Sequence, residues 1–221
     1  MKRAAVDFGP EAEGSILQPE TATTWEVGLK GRHLGGRLEW EMSWFDMDFE
    51  NLVIPENVDG RPSLANAGSE RFKGIEMEAT WRVTDDLRLT ATYAHHDSTF
   101  TDYERLRPDG SMQQLNGNTL EMSPNDLAAG GIVYAPAQGF QASVIANYVG
   151  SRYLNKSNTV EADAYTVLDA GVGYRFGPWQ VRLDGYNLTD VREPVAESEL
   201  GDPQFYVMTG SSWLLSVTWN P

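Results

Sequence analysis

The residues with the most chemical capacity sit in two short runs. Glu76 and Glu78 stand two apart in GIEMEA, and His95-His96-Asp97 follow in TYAHHD. On an extended strand, positions two apart share a face, which sets the two carboxylates ~7 Å apart, a spacing that could suit a glycosidase pair. The commoner role of such a pair is a hydrated wall, and that is the reading adopted. Adjacent residues on a strand point to opposite faces, so His95, His96 and Asp97 cannot all chelate one ion; they read as the upper rim of a strand, facing the loops. No nucleophile elbow accompanies any Ser, His and Asp set. The chain has no Cys, which removes thiolate metal sites and disulfides. Gly74, Gly171, Gly173 and Gly185 form no phosphate loop and read as relief of crowding inside a barrel. Asn187-Leu188-Thr189 fits the glycosylation pattern and is set aside. No catalytic residue, metal ligand or cofactor is expected. The ligand-contact candidates are His95, Tyr103, Arg105 and Arg107, toward an anionic ligand.

Those residues need elements to hold them, and the clearest is a hairpin over Thr166–Asp190. Two alternating runs flank Gly177-Pro178. Counting outward sets Phe176 opposite Trp179, Tyr174 opposite Val181, Val172 opposite Leu183 and Ala170 opposite Gly185, all apolar. The other pairs carry the charge: Arg175 with Gln180, Gly173 with Arg182, Gly171 with Asp184. A one-residue slip would mix the faces, so the register is well specified. A second hairpin turns at Thr84-Asp85-Asp86, with Trp81 opposite Leu89 and Met77 opposite Tyr93. A third turns around Pro136–Gly139. Thr21–Lys30 and Arg37–Ile54 alternate as well. After Trp44 the apolar parity shifts to Phe45, Met47 and Phe49, which suggests a bulge or emergence from the membrane. Residues 3–9 could be the end of a strand, and Phe205–Trp219 is the last one.

About nine strands result. Short connections near 31–36, 84–86, 136–139 and 177–178 alternate without exception with long ones near 10–20, 55–68, 104–125, 151–163 and 191–203. Outer-membrane barrels alternate in this way, with tight periplasmic turns and long external loops. A sandwich with Greek-key crossings has no reason to. The expected fold is therefore all-β, an antiparallel up-and-down transmembrane β-barrel, incomplete in this chain. Trp25, Trp81, Tyr174, Phe176, Trp179, Trp213 and Trp219 are the expected membrane-interface aromatics. The formal net charge of −15 argues against nucleic acid. No run of ~18 apolar residues offers a transmembrane helix, which says little about strands.

An odd strand count puts the two chain ends on opposite sides, whereas a free-standing bacterial barrel has an even number. The start Met1–Val6 has two basic residues but no apolar stretch of a secretory signal. The expectation is a C-terminal part of a larger barrel, with residues 1–20 an external loop or truncated strand end and residues 21–221 the barrel portion.

Three segments carry a family resemblance. LQPETATTWEVGLKG (17–31) resembles the opening of the C-terminal barrel half of TonB-dependent receptors. NAGSERFKGIEMEATWRVTDDLRLTATYAHHDSTFTDY (66–103) is similar to the following segment, and LDAGVGYRFGPWQVRLDGYNLTD (168–190) to the penultimate hairpin with its N-L-x-D end. The resemblance covers nearly the whole chain from Leu17. It implies a barrel of 22 strands around an N-terminal plug, coupled to the TonB energy-coupling complex, for energy-coupled uptake of a scarce nutrient. Outer-membrane lipid, the missing N-terminal barrel and plug, and a ferric siderophore would be its partners. The chain departs from the family in lacking the plug and coupling box, and in ending Asn220-Pro221 after the aromatic alternation of Trp213, Leu215, Val217 and Trp219. The alternatives are a soluble β-sandwich acting as a carbohydrate-binding or adhesion module, and an enzyme on a β-scaffold.

Overall fold

The computed structural model describes residues 17–58, 61–66, 68–106, 110–197 and 205–220. Nine strands form one antiparallel sheet in which every neighbour in space is a neighbour in sequence. They are β1 (Thr21–His33), β2 (Leu38–Glu50), β3 (Ser69–Arg82), β4 (Leu87–Asp102), β5 (Asp126–Tyr134), β6 (Gly139–Val149), β7 (Tyr165–Phe176), β8 (Trp179–Tyr186) and β9 (Ser212–Trp219). The sheet is an open half-barrel. No helix among the described residues is long and apolar enough to cross a membrane.

Period-two alternation built this register. The β7–β8 pairs run Phe176 with Trp179, Tyr174 with Val181, Val172 with Leu183 and Ala170 with Gly185, as counting outward from the turn required. One apolar row crosses six strands, β2 to β7: Leu38 pairs with Trp81, Trp81 with Leu89, Leu89 with Ile132, Ile132 with Val144, and Val144 with Ala170. Trp81, Ile132 and Val144 in this row are exposed. Leu215 and Val217 are 67% and 61% exposed. The described residues contain no second sheet layer over that face, so the sandwich alternative fails for want of a core. The buried hydrophobic residues Phe100, Tyr103, Leu115, Leu154 and Ala162 lie in or beside the loops instead.

Three expectations need revision. The β1–β2 and β2–β3 ladders continue unbroken through Phe45, Met47 and Phe49, so no bulge lies there. The parity shift is a change of residue type within an unbroken ladder: outward positions become Asp46 and Asp48, while inward ones turn apolar. The register irregularity falls between Ser69 and Glu70. The final strand is split, because Phe205–Val207 pairs with Pro194–Glu197 and only Ser212–Trp219 joins the sheet. Long connections also carry their own ladders, Val53–Val58 with Arg61–Asn66 and Glu104–Leu106 with Met112–Gln114.

Glycine positions depend on what lies across the sheet. A Cβ at Gly171 would collide with the Asp184 carboxylate and the Arg182 guanidinium, so glycine makes room for that ion pair on the charged face. Gly185 is a correction. Its pairing places it on the apolar face, where a Cβ would strike the Trp213 ring and Leu188.

Candidate functional site

The charged face lines a groove of about 790 Å³ that includes Glu26, Lys30, Glu41, Glu76, Glu78 and Asn147. Glu41 pairs directly with Glu78, and Ser43 with Glu76, so the carboxylates of β2 and β3 gather on one wall. Across the sheet the wall changes character. Arg182 donates to Asp184 at 2.8 Å and to the Ser143 hydroxyl at 2.6 Å, and Arg175 donates to Gln180 at 2.8 Å, which donates in turn to Gln141. Among the described residues no group of three His, Asp or Glu side chains could hold a metal ion. Glu76 and Glu78 belong to a hydrated wall with this neighbourhood.

Above the groove, toward the loops, the same inward face turns aromatic. Phe45, Met47 and Phe49 on β2 adjoin Phe72 on β3: Met47 pairs with Phe72, and Phe72 with Ser98. All four apolar side chains are half-buried. His96 shares that inward face, its Nε2 3.4 Å from the Ser123 hydroxyl. This shelf at the mouth was missed as a site by sequence reasoning, although the parity change after Trp44 was its signal.

The four ligand-contact candidates fare differently. His95 pairs with Ile75, which puts it on the outward face, and its Nδ1 lies 2.9 Å from Asp126. Tyr93 donates its hydroxyl to the same carboxylate at 2.7 Å. Asp46 with Arg71 at 2.5 Å and Lys73 with Asp97 at 3.6 Å extend this outward band of charge above the apolar rows. His95 therefore does not face the groove. Tyr103 is 4% exposed, stacked on Phe100 at 4.8 Å between centroids, so it serves packing. Arg105 lies in the Glu104–Leu106 ladder, and its side chain is outside the described residues, as is Arg107 altogether.

Tyr103 anchors a small loop core with Phe100, Leu115 and Leu120. Two connections interlock on it. Asn118 donates to the Lys156 carbonyl at 2.8 Å, while Asn158 accepts from the Thr119 N–H at 2.7 Å and donates back to its carbonyl at 2.8 Å. Lys156 lies 5.2 Å over the Tyr103 ring and 3.5 Å from Glu121. Burial opposes its charge, but Glu121 and Tyr103 outweigh burial and hold the ammonium pKa above its ordinary value. Arg152, 5% exposed, lies 5.1 Å over Tyr165 and donates to the carbonyls of Asp163 and Pro194, so a third connection joins the set.

The N-L-x-D end of β8 explains how that third connection returns. Asn187 has φ of 49°, a left-handed conformation that asparagine tolerates. Its amide donates to the carbonyls of Val191 at 2.8 Å and Thr209 at 2.9 Å, and its oxygen accepts from the Val191 N–H at 3.0 Å. Asp190 accepts from the Ser211 N–H at 2.9 Å and from Arg192 at 3.2 Å. The Ser211 N–H, then Arg192, holds the Asp190 carboxyl below the usual aspartate range. A lowered carboxyl pKa stabilises the fold above the unfolded-state value, and that support is lost as pH falls through the folded value. Hydrogen exchange at the Ser211 amide should be protected near neutrality and lose protection on acidification below the usual aspartate range. Asp190→Asn should abolish that pH dependence. A protection factor that stays flat with pH in the parent chain would contradict it.

A single up-and-down sheet, apolar on one side and charged on the other, with tight turns at one end and built-up loops at the other, defines an outer-membrane barrel wall. The chain belongs to the TonB-dependent receptor β-barrel family: the model described as TonB dependent receptor-like, beta-barrel, matches residues 6–188. It is 26% identical over 179 residues to the ferrioxamine receptor of Yersinia enterocolitica, covering 80% of this chain and 23% of that one. It is 26% identical over 219 residues to the ferrioxamine B receptor of Salmonella typhimurium strain LT2, covering 95% of this chain and 29% of that one. The chain thus spans less than a third of the length of these curated relatives. Among solved structures, the siderophore receptor PiuA from Acinetobacter baumannii aligns with a TM-score of 0.78 at 24% identity, over 95% of this chain and 30% of that one. The ferric-catecholate import receptor Fiu from K12 E. coli gives 0.71 at 24% identity, over 99% and 30%. At that identity the structures speak to fold alone.

Proposed function

We propose that this chain is the C-terminal wall of an outer-membrane receptor for energy-coupled uptake of a ferric siderophore, with the stretch from residue 21 onward as barrel; the expectations over residues 1–20, a strand end at 3–9 included, lie outside the described residues up to residue 16. The observation that carries the reading is the inward aromatic shelf of Phe45, Met47, Phe49 and Phe72, set above a charged groove in a family of receptors. Such a shelf offers flat apolar contact to a bulky chelate entering from the loop side. It replaces the candidates His95 and Tyr103, one turned outward and the other buried. The binding role is that of a receptor rather than an enzyme. The remaining partners in this reading are outer-membrane lipid, the N-terminal barrel and plug, and the TonB complex.

The proposed interface aromatics suit two levels. Trp81, Tyr174, Phe176, Trp179 and Trp219 lie near the tight turns, and Trp25 and Trp213 lie toward the loops; all are exposed, Trp25 by 75% and Trp213 by 64%. Amphipathic rings are most stable at headgroup level.

The test is iron uptake in the source bacterium after deletion of the coding region, with radiolabelled iron supplied as ferrioxamine B, a ferric catecholate or ferric citrate. Uptake from one chelate should disappear. Phe45→Ala with Phe72→Ala should cut the same uptake by about tenfold or more, the scale of removing aromatic anchors from a binding surface. Unchanged uptake from every chelate after deletion rejects the function; a fully active double variant rejects the shelf.

A further inference from the structure

The aromatic shelf has an acid set into it. Glu70 shares the inward face of β3 with Phe72, two residues along. Its register partners are Phe49 on β2 and Phe100 on β4. Directly opposed side chains in an antiparallel pair stand about 5 Å apart at Cβ, so this carboxylate is set between two phenylalanines with a third below it. Phe100, stacked on Tyr103, closes the group off from behind, while Phe49 and Phe72 are half-buried and open on the lumen side. Glu70 itself is 8% exposed. Among the described residues its carboxylate forms no hydrogen bond and no ion pair, and no unpartnered side-chain oxygen is sealed from solvent, so the group stays reachable.

The charged neighbours do not neutralise it. The groups whose field reaches Glu70 are Glu121, Lys156 and Glu20. Lys156 is already committed, 3.5 Å from Glu121 and 5.2 Å over the Tyr103 ring. Glu20 accepts from the Val53 N–H at 3.0 Å. Three carboxylates therefore share one ammonium. A carboxylate withdrawn from water without a partner is costly, and a cation placed against it offsets that cost. The flanking rings push the same way, because their faces attract a cation and give no such preference to a neutral group of equal shape. A hard divalent ion fits poorly, since calcium takes about six or more oxygens and one carboxylate is on offer.

We infer that Glu70, with Phe49 and Phe72, forms a subsite for an organic ammonium group, so that the chelate resting on the shelf carries an ammonium arm. The link to a chelate rests on the receptor reading; the subsite is tested on the chain alone. Glu70 supplies the countercharge, and the two rings supply a dry, electron-rich wall beside it.

The probes are choline and 3,3-dimethyl-1-butanol, alike in shape and different in charge. Binding to the full chain in a neutral maltoside detergent is followed by NMR saturation transfer to the probe methyl protons, with dissociation constants taken from titration. Choline should bind about tenfold or more tightly than the alcohol, the scale of a desolvated cation–π contact beside a countercharge. Glu70→Gln should erase most of that margin and leave the alcohol's binding unchanged. Phe49→Leu keeps the apolar volume but removes a ring face, and should cut the margin by about fivefold. Choline that fails to bind, equal affinity for the two probes, or a margin that survives both substitutions overturns the inference. Failure of the receptor reading shows elsewhere, as iron uptake unchanged by deletion, and does not alter the margin between the probes.

Discussion

Asn187→Ala should lower the unfolding free energy in lipid vesicles by about 2–4 kcal/mol, from the loss of four side-chain hydrogen bonds at a site where carbonyls are left unpaired. Asn187 is 6% exposed, and its amide serves Val191 and Thr209, residues 18 apart in sequence. Water cannot readily replace it at both. Its backbone N–H is also held, donating to Asp169 at 2.7 Å, so the corner is fixed from below as well. Alanine adds a conformational penalty, because φ of 49° is costly for any residue with a Cβ that lacks the asparagine's local bonding. Asn187→Gly separates the two contributions: it removes the strain and keeps the lost bonds, so it should fall between the parent and the alanine variant. Urea titration of vesicle-bound protein provides the measurement. A shift for Asn187→Ala below about 0.5 kcal/mol, the scale of an ordinary surface change, would mean that the corner holds without its side chain.

Val144→Arg carries the second large effect. Val144 lies midway along β6, between Phe140 near the turn and Tyr148 near the loops, in the outward row shared with Ile132 and Ala170. An arginine there meets hydrocarbon at mid-depth and should cost about 2–4 kcal/mol. Asn147→Arg is the matched control, three residues away on the inward face and lining the acidic groove. It should cost little, since that face is hydrated and offers carboxylates. The contrast between the two variants, read as unfolding free energy in vesicles, reports which side meets lipid. Equal and small effects would place water on both faces.

The sheet was legible in the sequence because its signal is local. A period of two, a tight turn and opposed apolar pairs fix a hairpin without reference to anything distant, and the β7–β8 and β3–β4 registers followed. The site was less legible, because the residue types a strand shows on each face change toward its loop end while the side-chain directions keep their alternation. Phe45, Met47 and Phe49 keep their alternation while the outward neighbours change from Trp44 to Asp46, and a change of surroundings looks in sequence like a slip of register. His95 looked like a rim ligand because its outward partner Asp126 arrives from β5, 31 residues later. Tyr103 stood in a polar stretch and looked exposed. Its burial comes from Leu115 and Phe100, contacts that no periodic pattern announces.

The interlocked loops limit how this loop surface can change over time. Asn118, Thr119, Lys156 and Asn158 bond across two connections mostly through main-chain atoms on at least one side. Side chains that only display themselves there can be exchanged singly. A residue inserted in either connection would break the spacing for both, so length variation should arise in matched pairs or be confined to the tips beyond the clasp.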